Sequence, residues 1–558
     1  MLVMTSFARD FHWIPRMPTV RIRSVLLSLL ALIICLPLVA LVSSWLEWNA
    51  SSAGVLTAMI ETVLPGYAIT SLLLCLGVAV GVTLLGTSTA AAVTLFKFPG
   101  KSFFEWALLL PMAIPAYVVA YAYTDFLQYS GPLQNFIRSQ TGLEGRVLPE
   151  VRSLGGAVLV FSLALYPYVY LLARTALSER ASQLMEAARM LGAPLQRRIL
   201  EVAMPLARPA VAAGVALALM ETLADYGVAS YFGIQTLTAG IYKAWLVMDN
   251  RIAAAQLATL LLGTVLVLLQ LEKMAQARMR FSSLRSNAPA SDAQPTSLTG
   301  LSAFGMSTWC ALPLFFGFVL PVVLMLRPLM ASDLDVPWAR FIDWALNSLQ
   351  LGLMTALLAV ALALVLSYSL RTKKDIATRM ATGLIGLGYA VPGAVVVVGL
   401  LWPVTWQQQR WPDSQIGFWL TATVLGLIWA YMIRFCAVAL QTVQSGYTRI
   451  PISLDDSSRM LGISGIKLLT HVHVPLLKRS IFAATLLVFV DVMKELPATL
   501  VLRPFNTDTL AVMAYQLARD ERLGEAALPS LALVLVGLLP VIYLSRAMKK
   551  SSTVASIA

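Results

Sequence analysis

The chain has 558 residues, 58% of them hydrophobic and only 12% charged, with a formal net charge of +13. About a quarter of the residues in an ordinary soluble domain are charged. This balance, with a mean hydropathy of +0.77, therefore excludes a water-soluble globular protein and places most of the chain in lipid. The surplus of positive charge does not point to nucleic acid, because the basic residues collect in alternate loops between apolar runs, the pattern the positive-inside rule requires of a membrane protein.

In chain order, Arg16, Arg21 and Arg23 lead into a first apolar run near 24–46. Its length and the lack of a small-residue cleavage site read as an uncleaved helix rather than a signal peptide. Further runs long enough to cross the hydrocarbon core lie near 68–96, 102–127, 153–177, 204–225, 252–271, 306–330, 346–370, 377–402, 416–440, 477–497 and 526–546. The predicted fold is an all-α polytopic membrane protein with about 12 transmembrane helices. Basic loops and an even number of spans put both termini on the cytoplasmic side. The Ser/Pro/Ala-rich stretch 283–300 reads as a flexible linker between a first repeat, 1–282, and a second, 301–558. Cys35, Cys75, Cys310 and Cys436 sit inside apolar runs without metal-ligand spacing, and there are only three histidines.

The two halves repeat one another. EAARMLG at 186–192 returns as DSSRMLG at 456–462, and the register continues without a gap to pair Glu221 with Asp491 and Asp225 with Glu495. Ile114-Pro115-Ala116 also resembles Val391-Pro392-Gly393. Repeats of six spans run parallel, which makes a pseudo-dimer with a path between its halves. The repeated segment reads as a short helix, a glycine break and a second helix that leads to Pro205 or Pro475 in the first turn of the next span. Two such elbows call for a dimeric partner that docks on both.

Two further readings concern chemistry. Phe98-Pro99-Gly100-Lys101-Ser102 ends like a phosphate-binding loop, but Leu95 stands where that loop needs its first glycine. It reads as a tight basic turn, so no nucleotide site and no catalytic residue is assigned. Glu221 with Asp225, and Asp491 with Glu495, are spaced to share one helix face. Acids inside membrane spans mark substrate paths, and carboxylate oxygens suit a hard trivalent ion better than sulfur does. Tyr226 and Tyr231 add oxygens nearby, and no metal-ligand set is assigned. Tyr117, Tyr121, Tyr123, Tyr166, Tyr168 and Tyr170 read as anchors at the membrane interface.

The motif E-A-A-x3-G, here Glu186-Ala187-Ala188 and Gly192, resembles the coupling motif of type I ABC importer permeases. The second copy departs from it as Asp456-Ser457-Ser458 and Gly462. The resemblance implies the type I ABC importer transmembrane domain fold in a bacterial plasma (inner) membrane. These eight residues would then be the ATPase-coupling positions, docking two copies of a cytoplasmic ABC ATPase. It also implies a periplasmic or extracellular substrate-binding protein, with ATP used by the ATPase and no cofactor held by this chain. METLADYGVASYFGIQTLTAGIYKAW (220–245) and MKELPATLVLRPFNTDTLAVMAYQLARDERLGEAALP (493–529) resemble the fused iron(III) permeases of that family, over roughly 60–545. That implies ferric iron as cargo, with thiamine, phosphonate compounds or polyamines as the alternatives that related fused permeases carry. A secondary transporter of the major facilitator type is the other six-plus-six architecture, but the loop Lys97-Phe98-Pro99-Gly100-Lys101 does not match its signature.

Overall fold

A computed structural model describes residues 22–46, 57–178, 182–283, 295–330, 338–372 and 376–555. The predicted linker lies outside the described residues from 284 to 294, as does the basic N-terminal stretch up to residue 21. The first half consists of α1 (Ile22–Ser43), α2 (Leu64–Leu95), α3 (Lys101–Ala107), α4 (Ala116–Leu127), α5 (Leu154–Ala176), α6 (Ser182–Met190), α7 (Met204–Ala224), α8 (Gly227–Phe232), α9 (Leu237–Tyr242) and α10 (Arg251–Ser283). The second half repeats the series as α11 (Gly300–Leu314) with α12 (Leu320–Leu329), α13 (Trp338–Thr372), α14 (Ile376–Gly386), α15 (Gly393–Arg410), α16 (Val424–Tyr447), α17 (Ile452–Met460), α18 (Val474–Lys494), α19 (Pro497–Leu502), α20 (Leu510–Arg519) and α21 (Leu523–Ala555).

Among the described residues, eight helices are long and apolar enough to cross a membrane, and two bent pairs raise the number to ten. Two predicted spans make up the difference from twelve. The first is a shorter apolar helix, Leu29–Ser43. The other, α18, carries Lys478, Arg479, Asp491 and Lys494 along its length. The bent pairs differ from the straight spans predicted at 102–127 and 377–402: the chain turns by 87° after Ala113 and by 119° after Ala390. Proline is the cause. It disfavours helical backbone in the residue before it, and Ile114 and Val391 are extended, with ψ of 124° and 118°.

The repeats seen in sequence are not separate packing units. α1 lies against α14 and α15 of the second half, while α11 and α12 lie against α2, α3 and α4 of the first. One buried core accordingly joins residues such as Val78, Val119 and Tyr170 to Cys310, Leu324 and Tyr515. The other joins Ala31, Leu257 and Leu261 to Val396, Tyr431 and Val488. Near the linker, Thr296 and Ser297 pair in parallel with Phe96 and Lys97.

Small residues set the closest helix approaches, as is usual where lipid removes the hydrophobic drive between helices. A Cβ on Gly214 of α7 would lie 2.7 Å from the Cα of Val169 in α5, and one on Gly86 of α2 would lie 2.9 Å from the carbonyl oxygen of Tyr166. Gly214→Leu is expected to force α7 off α5, at a cost of about 1–3 kcal/mol, and to lower the midpoint of thermal unfolding in detergent. Gly263→Leu, where a Cβ meets nothing within 4 Å, serves as the control. Equal midpoints for the two variants would contradict this packing.

Candidate functional site: an acidic cavity and two glycine elbows

The elbows are built alike. α6 ends when Gly192 adopts φ +80° and α17 ends when Gly462 adopts the same angle, a left-handed conformation that glycine takes without a Cβ penalty. The carbonyls left open at the helix ends are satisfied in parallel. Ala193 N–H donates to Ala188 O at 3.0 Å, and Ile463 N–H donates to Ser458 O at 2.9 Å. Arg189 faces Glu186 at 3.8 Å and Arg459 faces Asp456 at 3.0 Å. Met190, Leu191, Met460 and Leu461 are each at least 80% exposed. Four bare apolar side chains in two matched pairs make each elbow an exposed apolar patch, the kind of surface that a partner covers in other proteins. Beyond each turn the chain passes through a wide helical turn, Arg198–Ala203 or Leu469–His473, before Pro205 or Pro475 opens the first turn of the next span.

All four predicted acids line a single cavity of about 430 Å³ between the halves. The expectation that each pair shares a helix face holds only in part. α7 stops at Ala224 and α18 at Lys494, so Asp225 and Glu495 lie just past the helix ends, with ψ of 131° and 123°. Each turns instead to cap the short helix that follows: Asp225 Oδ1 accepts from Val228 N–H at 2.8 Å, and Glu495 accepts from Ala498 and Thr499 N–H at 2.9 Å each. Glu495 also binds Arg434 at 2.8 Å, with both side chains almost wholly buried. Lys494 turns away from Glu495 and donates to Met112 O at 3.0 Å.

The other two acids remain turned to the cavity. Glu221 Oε1 accepts the Tyr389 hydroxyl at 2.8 Å. Asp491 accepts no hydrogen bond among the described residues, and Tyr168 and Tyr389 lie beside both carboxylates in the lining. Because residues 221 and 491 are counterparts in the repeat, the two carboxylates reach the cavity from opposite halves. The described residues hold no cluster of three or more His, Cys, Asp or Glu side chains fit to bind a metal. Two carboxylates and two phenols, with Lys494 also in the lining, form a polar passage rather than a closed coordination cage.

At the end of the cavity away from the elbows, tyrosines from both halves pack together. Tyr226 stacks with Tyr242 at 4.2 Å and with Tyr515 at 6.0 Å, and Tyr121 meets Tyr231 at 4.6 Å. Ser230 and Tyr515 share a hydrogen bond of 2.8 Å across the halves, and a Cβ on Gly227 would lie within about 3 Å of Tyr117 and Leu496. The lining then runs towards the elbow side, from Glu495 to Ala483 along α18 and from Gly537 to Tyr543 along α21. The tyrosines expected at the membrane interface are therefore placed differently. Tyr117, Tyr121, Tyr123, Tyr166 and Tyr170 are buried, and Tyr168 lines the cavity. Tyr170 donates to Glu105 O at 2.9 Å and Tyr123 to Phe316 O at 2.5 Å, whereas the buried hydroxyls of Tyr121 and Tyr166 have no partner among the described residues. Arg434 is the functional-site residue that the sequence reading missed. Its signal was a lone cation inside the apolar run 416–440. Gly100, with φ +79°, opens α3 as a turn.

Residues 83–280 match the family model of the binding-protein-dependent transport system inner membrane component. The chain is 24% identical over 488 residues to the Fe(3+)-transport system permease protein FbpB 2 of Haemophilus influenzae, covering 85% of this chain and 88% of that protein. This chain resembles ABC importer permeases, the iron(III) permeases among them. It is also 23% identical to the ferric transport system permease protein FbpB of Actinobacillus pleuropneumoniae, over 76% of this chain and 62% of that one. The putative 2-aminoethylphosphonate transport system permease protein PhnU of Salmonella typhimurium is 26% identical over 36% of this chain and 70% of its own length. The family match and the apolar helices support a multi-pass inner-membrane protein, and the relatives are permease subunits of a class that works with an ATPase and a substrate-binding protein.

Proposed function

We propose that this chain is the complete translocation path of a ferric iron importer, with a binding protein loading the tyrosine end and two ATPase copies docking on the elbows from the cytoplasm. The observation that carries this reading is the convergence of Glu221 and Asp491, from opposite halves, on one cavity between them. Two carboxylates and two phenols offer hard oxygens to a hard cation, and an open arrangement suits an ion that must leave again. The names of the two iron(III) relatives, matched over 85% and 76% of this chain against 36% for the phosphonate permease, support ferric iron as the cargo. At the elbows, Glu186, Ala187, Ala188 and Gly192, with Asp456, Ser457, Ser458 and Gly462, form the docking positions around the exposed Met-Leu pairs. ATP is bound and hydrolysed by the partner, and this chain holds no cofactor. Rocking of the halves about the cavity then alternates access.

Radiolabelled ferric iron uptake into proteoliposomes tests this reading, using the chain with its ATPase, its binding protein and ATP on the ATPase side. Uptake that needs both ATP and the binding protein is expected. Binding-protein-stimulated ATP hydrolysis without iron uptake would reject the cargo and keep the importer.

A further inference from the structure

The two elbows look alike from outside but rest on different foundations. Beneath the second, Arg371 at the end of α13 places all five of its N–H donors. It bonds both carboxylate oxygens of Asp455 in α17, at 2.8 and 2.9 Å, and the carbonyls of Tyr447, Ile450 and Pro451, at 3.0 to 3.3 Å. His473, at the entry to α18, meets Asp455 Oδ1 through Nε2 at 3.2 Å and the Tyr447 hydroxyl through Nδ1 at 3.2 Å. A carboxylate only accepts, so Nε2 carries the proton and Tyr447 donates to Nδ1. Tyr368 of α13 donates to Gly465 O at 2.7 Å. Asp455 is 3% exposed, His473 0% and Arg371 12%. Burial pushes the Asp455 carboxyl up, but the bonds from Arg371 and His473 outweigh it and leave the group below its ordinary range.

Among the described residues, the first repeat has none of this chemistry at the same places. In the register of the elbows, Asp455, His473 and Tyr447 correspond to Met185, Ala203 and Leu177, all buried. The register of the preceding span is fixed by Ser71 and Ser348, which accept the N–H of Leu237 and Leu510 respectively. It sets Thr94 opposite Arg371 and Ala91 opposite Tyr368. At these positions one half uses Met185, Ala203, Leu177, Ala91 and Thr94, and the other a buried ion cluster. An ion pair of the first half, Arg174 with Glu105 at 3.3 Å, lies elsewhere and is more exposed. Buried ion pairs are commonly no more stabilising than apolar residues of similar volume, so stability alone does not account for the cluster. What it adds is direction. Apolar surfaces shear by small slides, whereas a five-donor fork holds α13, the end of α16, α17 and the start of α18 in one geometry.

We propose that Arg371, Asp455 and His473 are positioning residues that make the second elbow a rigid strut, so that the ATPase docked there drives α13 and α18 together and transmits most of the closing motion, while the first elbow yields. This rests on the reading that the elbows dock the ATPase. The test is the triple variant Arg371→Thr, Asp455→Met, His473→Ala, which writes the first repeat's residues into the second and avoids leaving a lone buried charge. In the reconstituted complex the ATPase is expected to co-purify as in the wild type. Uptake per ATP hydrolysed is expected to fall at least about fivefold, the low end for a coupling between sites. Arg371→Lys alone, which keeps the charge and loses the fork, should fall between the two. Unchanged uptake per ATP in the triple variant would overturn the proposal, and so would loss of the ATPase, which would make the cluster a docking or folding element. A wild-type chain that binds no ATPase would remove the docking reading instead.

Discussion

Gly192→Asp combined with Gly462→Asp is expected to abolish uptake, by about a hundredfold or more, while the chain still inserts and folds. Both positions have φ +80°, where a side chain costs roughly 1–2 kcal/mol and aspartate is among the least penalised residues. A Cβ at either glycine meets nothing within 4 Å of this chain, so the permease itself has room for the change. The obstruction falls on whatever covers the exposed Met190-Leu191 and Met460-Leu461 pairs, because a carboxylate is buried there without a partner. Thermal unfolding in detergent would report the small cost to the chain, and ATPase co-purification with uptake would report the large cost to coupling. A double variant that keeps its ATPase and transports normally would show that the elbows are ordinary capped turns.

Glu221→Gln combined with Asp491→Asn is expected to lower iron uptake by about tenfold or more, the effect of losing roughly 1.4 kcal/mol of interaction along the path, with assembly intact. Glu221 accepts one phenol, Asp491 accepts no hydrogen bond among the described residues, the amides keep the shape, and Lys494 keeps its bond to Met112 O. Glu495→Gln should behave differently, although it lines the same cavity. It removes the charge that balances Arg434, to which Glu495 is bound at 2.8 Å in a buried site, and breaking one side of such a pair costs about 3–5 kcal/mol. The expected result is loss of stable protein rather than a transport defect in stable protein. Iron uptake unchanged in the Glu221/Asp491 double variant would remove the acids from the path.

What was legible in the sequence was local or repeated. The elbow glycines follow from capping rules, and a second copy at a fixed offset shows that the motif is more than one loop. The acid pairs stood out because charge is rare in apolar runs. The helix break before Asp225 and Glu495 was not legible, because it depends on those side chains capping the next helix, a choice made in three dimensions. Arg434 and Glu495 find each other across α16 and the end of α18, and no spacing announces such a pair. The exchange of α1 and of α11 with α12 between the halves is equally long-range. The asymmetry under the elbows was half-visible: Asp455 and His473 stand in the second repeat where Met185 and Ala203 stand in the first, but their partner Arg371 lies two spans upstream.

The central claim is that the cavity between the halves is the transport path and that its access alternates. In a chain with Cys35, Cys75, Cys310 and Cys436 replaced, none of which lines the cavity, Leu487→Cys places one thiol on the cavity wall. Its labelling by a membrane-impermeant thiol reagent, added from one side of the membrane at a time, is the most direct measurement. The resting complex is expected to label from the elbow side, and the complex trapped with ATP from the tyrosine side. Labelling from the same side in both states, or from neither, would contradict the account.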